Sequence, residues 1–592
     1  MRRVPALQRQ VLIEVGEDLL HRSTVTEPDA AARATRRIAG AMRPIRDDHA
    51  SAGRYSATVE EFDYVVAGGG SAGCVVASRL SEDPSVRVCL LEAGGEGRNL
   101  LIRIPLGFVA GMPRGFNSWH YETVPQAGFA NGRRGFQPRG KALGGSSTIN
   151  AMIYAHGHRS DFDRWAALGN PGWGFDDVLP YFTKSENNTV HRDSPYHGTA
   201  GPLTVSALRD PSPLNQVFLQ ACVNQGIPFN PDYNGAQHFG CYHVQVTQRD
   251  GERHSVAAAF IHPNLDRPNL EVRTKAHITG VEFSDRRATG VTFRHGRQVH
   301  TVRARREVIM AAGAFGTPQI LMASGLGPGE HLQQLGITPI REIAGMGQNL
   351  QDHISALLIY RARTTADTVG ISPVGVARMA RAAWQWRRHR RGLLTSCAAE
   401  SGAYYKSDPD VEVADMEMEL IIGKGADHGR TPPIGHGYSA HLLLARPQST
   451  GEVRLASRDT AVAPLIDPKY FSHPYDMPTL VKGTQVALDV MNDPVFDRHR
   501  RDMLIHYDRD DPEQIERTLR EHADTEYHPC GTAKMGPSSD PLAVVDADLR
   551  VRGVDGLRIA DASVMPTVPS NNIHAPVLMI AEKCADLIKS SA

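Results

Sequence analysis

The 592-residue chain shows no pairing pattern among its cysteines. Its seven (Cys74, Cys89, Cys222, Cys241, Cys397, Cys530 and Cys584) are scattered, odd in number and never spaced C-x-x-C. That argues against a disulfide scaffold or a cysteine zinc site and for a reduced, intracellular protein. No apolar run approaches the roughly 18 residues needed to span a bilayer. Neither sign of charge is in excess, with 65 Lys and Arg against 65 Asp and Glu. Bulk attraction to nucleic acid is therefore not expected. Residues 1–58 lack the apolar core of a signal peptide. Their arginines (Arg2, Arg3, Arg36, Arg37) are offset by Glu14, Glu17, Asp18 and Asp29, unlike an acid-poor transit peptide. They read as an extension outside the main fold, with helices expected over 11–20 and 30–42. A cytoplasmic location is expected, with peripheral contact to the inner membrane as a secondary reading.

What the chain does have is a nucleotide-binding βαβ pattern. The apolar run Phe62-Asp63-Tyr64-Val65-Val66-Ala67 leads directly into Gly68-Gly69-Gly70-Ser71-Ala72-Gly73. In this pattern Gly68 permits a tight turn, Gly70 lets backbone approach a pyrophosphate, and Gly73 lets the following helix pack against the sheet. A helix beginning near Ser71 would aim its free amides and positive dipole end at the phosphates. A second strand, Val86 to Leu91, ends in Glu92, 19 residues after Gly73. That is the reach needed to bond a ribose hydroxyl. The same segment also spells G-x-S-x-G, the nucleophile elbow of α/β-hydrolases. An elbow normally lies deeper in its domain, with an acid and a histidine following later. Here the motif follows the first strand, so the nucleotide reading takes precedence.

Further elements of the same type recur far along the chain. Arg139-Gly140-Lys141-Ala142-Leu143-Gly144-Gly145-Ser146-Ser147-Thr148-Ile149-Asn150 offers backbone amides and small hydroxyls to an anion or a polar ring edge. Val308-Ile309-Met310 opens onto Ala311-Ala312-Gly313, and Leu557-Arg558-Ile559-Ala560 ends in Asp561. Asn571-Asn572-Ile573-His574 precedes a helical pattern through Met579 to Ile588, with Asn as the expected N-cap. Such elements at both ends and the middle imply one binding domain assembled from separated segments. Residues 374–391 read as a basic amphipathic helix. Val376, Met379, Ala380, Ala383 and Trp384 share one face, and Arg378, Arg381, Gln385 and Arg388 the other. A cap helix with a solvated basic face is the preferred reading over membrane or partner contact.

Together these segments resemble the glucose–methanol–choline (GMC) oxidoreductases over about residues 60–590. The resemblance rests on the first motif through Glu92-Ala93-Gly94. It rests equally on Gly140 to Asn150 with Met152, Tyr154, Gly157 and Asp163, and on Gly313-Ala314-Phe315-Gly316-Thr317-Pro318-Gln319-Ile320-Leu321 with Ser324 to Gly327. Tyr527-His528-Pro529-Cys530-Gly531-Thr532-Ala533-Lys534-Met535-Gly536 and Gly347-Gln348-Asn349-Leu350-Gln351-Asp352-His353 complete it. It implies an α/β fold (α+β overall). A Rossmann-like FAD-binding domain would be assembled from 59–160, 250–350 and 525–592. A second, sheet-based substrate or cap domain would come from 161–249 and 351–524. It also implies alcohol oxidation by hydride transfer to flavin N5, with oxygen or a quinone or other electron carrier as acceptor.

The resemblance assigns FAD contacts to Gly68, Gly70, Ser71, Ala72, Gly73, Glu92, Ala93 and Trp119. Further contacts fall to Gly140, Leu143, Gly145, Ser146 and Asn150, to Ile278 and Ala312, and to Asp561, Ala562 and Ile573. His528 matches the catalytic histidine and Asn572 the second polar residue; no metal is expected. The chemistry agrees, because hydride loss from a carbinol requires removal of the hydroxyl proton, and histidine is the base closest to neutrality. Some members tether FAD through a histidine where this chain has Ile149, so the flavin is expected to be non-covalent. Members commonly carry Arg where this chain has His156. Glu400-Ser401-Gly402-Ala403 resembles the place where choline-oxidising members put an acid. Photodecarboxylases on this scaffold use a Cys and an Arg where Ala399 and Glu419 fall, which disfavours that lyase chemistry; nothing points to a hydroxynitrile lyase.

Overall fold

A computed structural model describes residues 59–425, 429–430 and 434–591. The helices expected at 11–20 and 30–42 lie outside the described residues. A seven-stranded sheet draws its strands from distant parts of the chain. Its parallel part runs Leu270–Arg273, Val88–Leu91, Glu60–Ala67, Gln298–Met310, Leu557–Ile559. Val65 to Ala67 pair with Val308 to Met310, whose other edge carries Leu557 to Ile559. Residues 64–67, 88–91 and 308–310, at the centre of this sheet, are apolar and buried throughout, as strands covered on both faces are. An antiparallel meander, His277–Ser284 and Arg287–His295, extends the sheet along the first half of Gln298–Met310.

The second large sheet is antiparallel. Its main order is Arg500–Met503, Ile354–Ala362, Gly435–Leu444, Met416–Ile421, Ala399–Tyr405, Gly240–His243. Asp524–Thr525 adds to the start of Ile354–Ala362. Period-two alternation sorts the side chains of this sheet. In Met416–Ile421, Met416, Met418 and Leu420 enter a core shared with the helices Leu214–Asn224, Asp476–Met491 and Pro512–His522. Glu419 and Ile421, on the opposite face, line the main cleft.

The basic segment forms the helix Pro373–His389, with the Ser372 hydroxyl accepting from Gly375 N–H at 3.0 Å. The face that packs is not the one read from the sequence. Ala382 and Trp386 are buried against Leu394 with Ile104, Leu106 and Leu393, and Trp386 Nε1 donates to the Gly251 carbonyl at 2.8 Å. Val376 and Trp384 are left 65% and 63% exposed. Trp384 and Trp386, two residues apart, lie on nearly opposite faces, and the face that packs is the one carrying Ala382 and Trp386.

Candidate active site

The cleft between the two sheets encloses about 750 Å³. One end is the predicted nucleotide turn. Gly68 has φ +115°, and a Cβ there would sit 2.5 Å from the Ala311 carbonyl oxygen. A Cβ on Gly73 would sit 1.9 Å from the Gly68 oxygen, so the helix Ser71–Leu80 can dock only with glycine there. Gly68, Gly70, Ser71 and Ala72 line the cleft; Gly73 does not, and its place is in helix–turn packing. Glu92 follows the strand Val88–Leu91 and accepts from Gly69 N–H (3.0 Å) and Gly94 N–H (2.7 Å). Burial raises its carboxyl to about 7 against those two amides. Its partners are backbone amides and not an imidazole, which is not the arrangement of a hydrolase triad.

Ala93, Trp119, Gly140 and Gly145 line the same cleft, as do Ser146 and Asn150. Lys141 Nζ lies 3.9 Å over the Trp119 ring. Ser146 Oγ accepts from Gly140 N–H, and Asn150 Oδ1 is held by Arg253 Nη1 at 2.6 Å. Leu143, expected as a cofactor contact, is instead buried beneath the turn, with its N–H on the Gly95 carbonyl. The far rim is made by Ile278, Ala312, Asp561, Ala562 and Ile573. Asp561 Oδ2 accepts from Gly313 N–H (2.8 Å) and the Thr317 hydroxyl (2.6 Å), clamping the two strand ends together.

The other end is polar and holds His528. Its backbone N–H donates to Asp352 Oδ1 at 2.8 Å. Asp352 Oδ2 in turn accepts from Gln137, Tyr470 and Thr525. The residue before it, Tyr527, takes φ +69°, a left-handed conformation that costs a non-glycine residue about 1–3 kcal/mol. The tautomer of His528 follows from its partners. His353 Nε2 lies 3.1 Å from the Ala445 carbonyl, which can only accept, so His353 carries its proton there. Its bare Nδ1 is 2.9 Å from His528 Nδ1, so His528 must donate from Nδ1. His528 Nε2 is left unprotonated, with Asn572 Nδ2 donating to it at 3.4 Å. Burial, with His353 adding to it, holds His528 well below its usual pKa, so the ring is a neutral base.

Asn572 does not cap the helix His574–Ser591 as the sequence suggested. Its Oδ1 is buried without a partner, and its amide nitrogen turns to His528. Neighbouring Asn571, with its amide oriented to satisfy both sides, accepts from Gly157 N–H and donates to the Asn572 carbonyl. Glu400 is also placed differently from expectation. Its carboxylate accepts from Ser212 N–H, Asn215 Nδ2 and Ser396 Oγ and stays out of the cleft. The acids at this polar end of the cleft are Glu419 and Glu526, beside His441. One oxygen of each acid, and His441 Nε2, are buried without a partner. Burial pushes Glu419 well above the usual carboxylate range. These three residues and His353 were missed as site residues. His353 and Glu526 nevertheless fall in or beside motifs visible in the sequence, and Met-Glu-Met-Glu alternation marks Glu419.

With this geometry in view, comparison with known proteins is decisive for the family. A GMC oxidoreductase model for the N-terminal region matches residues 62–355, and one for the C-terminal region matches 447–581. The chain belongs to the GMC oxidoreductase family. It is 41% identical over 531 residues to an alcohol dehydrogenase [acceptor] of Pseudomonas putida, covering 89% of this chain and 95% of that one. It is 38% identical over 551 residues to the mitochondrial choline dehydrogenase of Homo sapiens, covering 91% of each. A solved formate oxidase of Aspergillus oryzae RIB40, described for a mutation's effect on FAD modification, superimposes with TM-score 0.82. That match is at 27% identity and covers 90% of this chain and 98% of that one. As a GMC oxidoreductase, the chain has the Rossmann-like and second-domain architecture of its solved relatives.

Proposed function

We propose that this protein is an FAD-dependent oxidoreductase acting on CH–OH groups, converting a primary or secondary alcohol to its carbonyl. The observation that carries the reading is the lone pair of His528 Nε2, fixed by the His353 contact, in the cleft that also contains the nucleotide turn. The turn fits FAD: glycine is required at Gly68, the helix Ser71–Leu80 points its N-terminus into the cleft, and Glu92 stands at the end of the second strand. When bound, FAD supplies the two-electron acceptor. His528 Nε2 takes the hydroxyl proton as the carbinol carbon is oxidised. Asn572 Nδ2 donates to the same alcohol oxygen and orients it. His353 holds the His528 ring in the tautomer that exposes Nε2. Ile149 lines the cleft and its alkyl side chain offers no atom for a tether, which supports non-covalent FAD.

On this reading 59–160, 250–350 and 525–592 bind FAD, while 161–249 and 351–524 shape the substrate site. Reoxidation falls to oxygen or a quinone-type carrier. The exposed apolar face of the helix Pro373–His389, flanked by arginines, supports peripheral membrane contact of a cytoplasmic protein. The test is a yellow holoprotein, kept dark and anaerobic, challenged with choline, aliphatic, aryl and polyol alcohols. Bleaching of the flavin by an alcohol is expected, with colour released into the supernatant on acid precipitation. A colourless, FAD-indifferent protein would overturn the reading.

A further inference from the structure

Behind the second glycine-rich motif, away from the cleft, lies a cluster with no part in the chemistry above. His156, Glu186 and His197 are each 1% exposed or less at the side chain. Each offers one ligand atom, and the three atoms lie within 4.8 Å of one another. His156 Nε2 is 4.0 Å from Glu186 Oε2, and His197 Nδ1 is 2.9 Å from Glu186 Oε1. Neither ring nitrogen of His156 has a hydrogen-bond partner. A buried imidazole with both nitrogens unsatisfied is costly, and a ligand on its lone pair removes the share of that cost owed by the acceptor nitrogen.

The surroundings are those of a metal site. The second nitrogen of His197, Nε2, lies 3.0 Å from Asp232 Oδ1. Such a carboxylate partner fixes the ring of a metal-bound histidine and raises its basicity. Glu186 is itself anchored, with Oε2 accepting from Gly198 N–H at 3.0 Å and Oε1 from Asn188 Nδ2 at 2.8 Å. The cluster lies one side chain beneath the surface: Asp232 and His191, which contact His197, are 19% and 20% exposed at the side chain. Charge points the same way. Glu186 and Asp232 bring two carboxylates to the two ring nitrogens of His197.

We propose that His156, Glu186 and His197 form a structural site for a divalent transition-metal cation of the zinc class. Two imidazole nitrogens and one carboxylate oxygen suit such an ion, with a fourth position open to water. On binding, the cation displaces the proton that His197 Nδ1 shares with Glu186, and that proton leaves to solvent. His197 keeps Nε2–H on Asp232. Two positive charges then balance the two carboxylates.

The test uses the FAD-loaded protein and its His156→Arg variant, which puts a fixed cation where the ligand nitrogen stood. Both are equilibrated with Zn²⁺ and desalted, and metal is measured by inductively coupled plasma mass spectrometry. The wild type should retain about one zinc per chain and the variant a tenth of that or less. Co²⁺ loading should give the intense visible bands of four-coordinate cobalt in the wild type alone. Flavin absorbance, equal in the two proteins, serves as the check on folding. Zinc retention that is negligible in both, or equal in both, would overturn the proposal. Should His156→Arg fail to bind flavin, Glu186→Gln takes its place with the same expected and overturning outcomes.

Discussion

Replacing His353 with leucine tests the least obvious part of the site. His353 does not line the cleft; it is fully buried and touches His528 through one Nδ1–Nδ1 contact of 2.9 Å. Leucine is of similar size but cannot accept. His528 Nδ1–H would then be stranded in the interior, at a cost of about 1–3 kcal/mol. The ring escapes that cost by moving its proton to Nε2, the nitrogen that should meet the alcohol. The population with a bare Nε2 falls by the same free energy, about 5- to 150-fold. Stopped-flow flavin reduction under anaerobic conditions, at saturating alcohol, should slow by that factor. FAD affinity should hold, since His353 makes no contact with the cleft. His353→Gln, whose amide oxygen can accept from Nδ1, should recover most of the rate. If His353→Leu reduces its flavin at the wild-type rate, the tautomer argument is wrong.

Three other outcomes follow from particular side chains. Glu92→Ala removes a carboxylate placed for charge-assisted bonds worth about 1.5–3 kcal/mol each, so FAD dissociation should rise roughly ten- to a hundredfold in a fluorescence titration. Unchanged affinity would remove Glu92 as the ribose ligand. Burial lowers His238 and His254 from 6.5 to about 3 and His574 to about 4. The unfolded chain takes these protons first, so each ring's own contribution is lost as pH falls below about 6.5, while the buried carboxyls of Glu92 and Glu419, raised in the folded state, act in the opposite sense. At pH 5 each such ring costs about 2 kcal/mol, so His254→Phe should lose less stability than the wild type between pH 7 and 5 by about that amount, and an identical pH dependence of the two melting temperatures would contradict this. Changing Arg378, Arg381 and Arg388 together to Gln should lower sedimentation with anionic liposomes at low salt; equal, negligible sedimentation of both forms would favour a solvated face.

The strands at 62–67, 308–310 and 557–559 were legible in the sequence because each is a short, mainly apolar run ending in glycine, alanine or an acid. Doubly buried parallel strands have that signature, and it survives separation along the chain. The same logic placed most cofactor candidates on the cleft. Leu143 lies off the cleft lining, because a loop residue's direction is set by local turns that leave no periodic trace. Asn572 failed as a cap because the competing contact, His528, is distant in sequence. Glu419, His441 and Glu526 come together only through strand pairing in the second sheet, and the His156–Glu186–His197 cluster has no short-range spacing. In the helix Pro373–His389, periodicity found the helix but not its buried face, because the apolar stripe of Val376, Met379, Ala380, Ala383 and Trp384 is complete by itself while the partners of Ala382 and Trp386, among them Ile104, Leu106 and Gly251, are distant in sequence.

The most direct test of the account is single-turnover flavin reduction by His528→Ala, with oxygen excluded and alcohol saturating. General-base help is typically worth about 10²–10⁴-fold in rate. The variant should retain FAD and bleach slower by that factor, while Asn572→Ala, which loses only an orienting hydrogen bond, should be affected less. The loss should persist at saturating alcohol, because the proton is taken in the transition state. Reduction of His528→Ala at the wild-type rate would show that His528 is not the base, and the proposed chemistry of the cleft would fall with it.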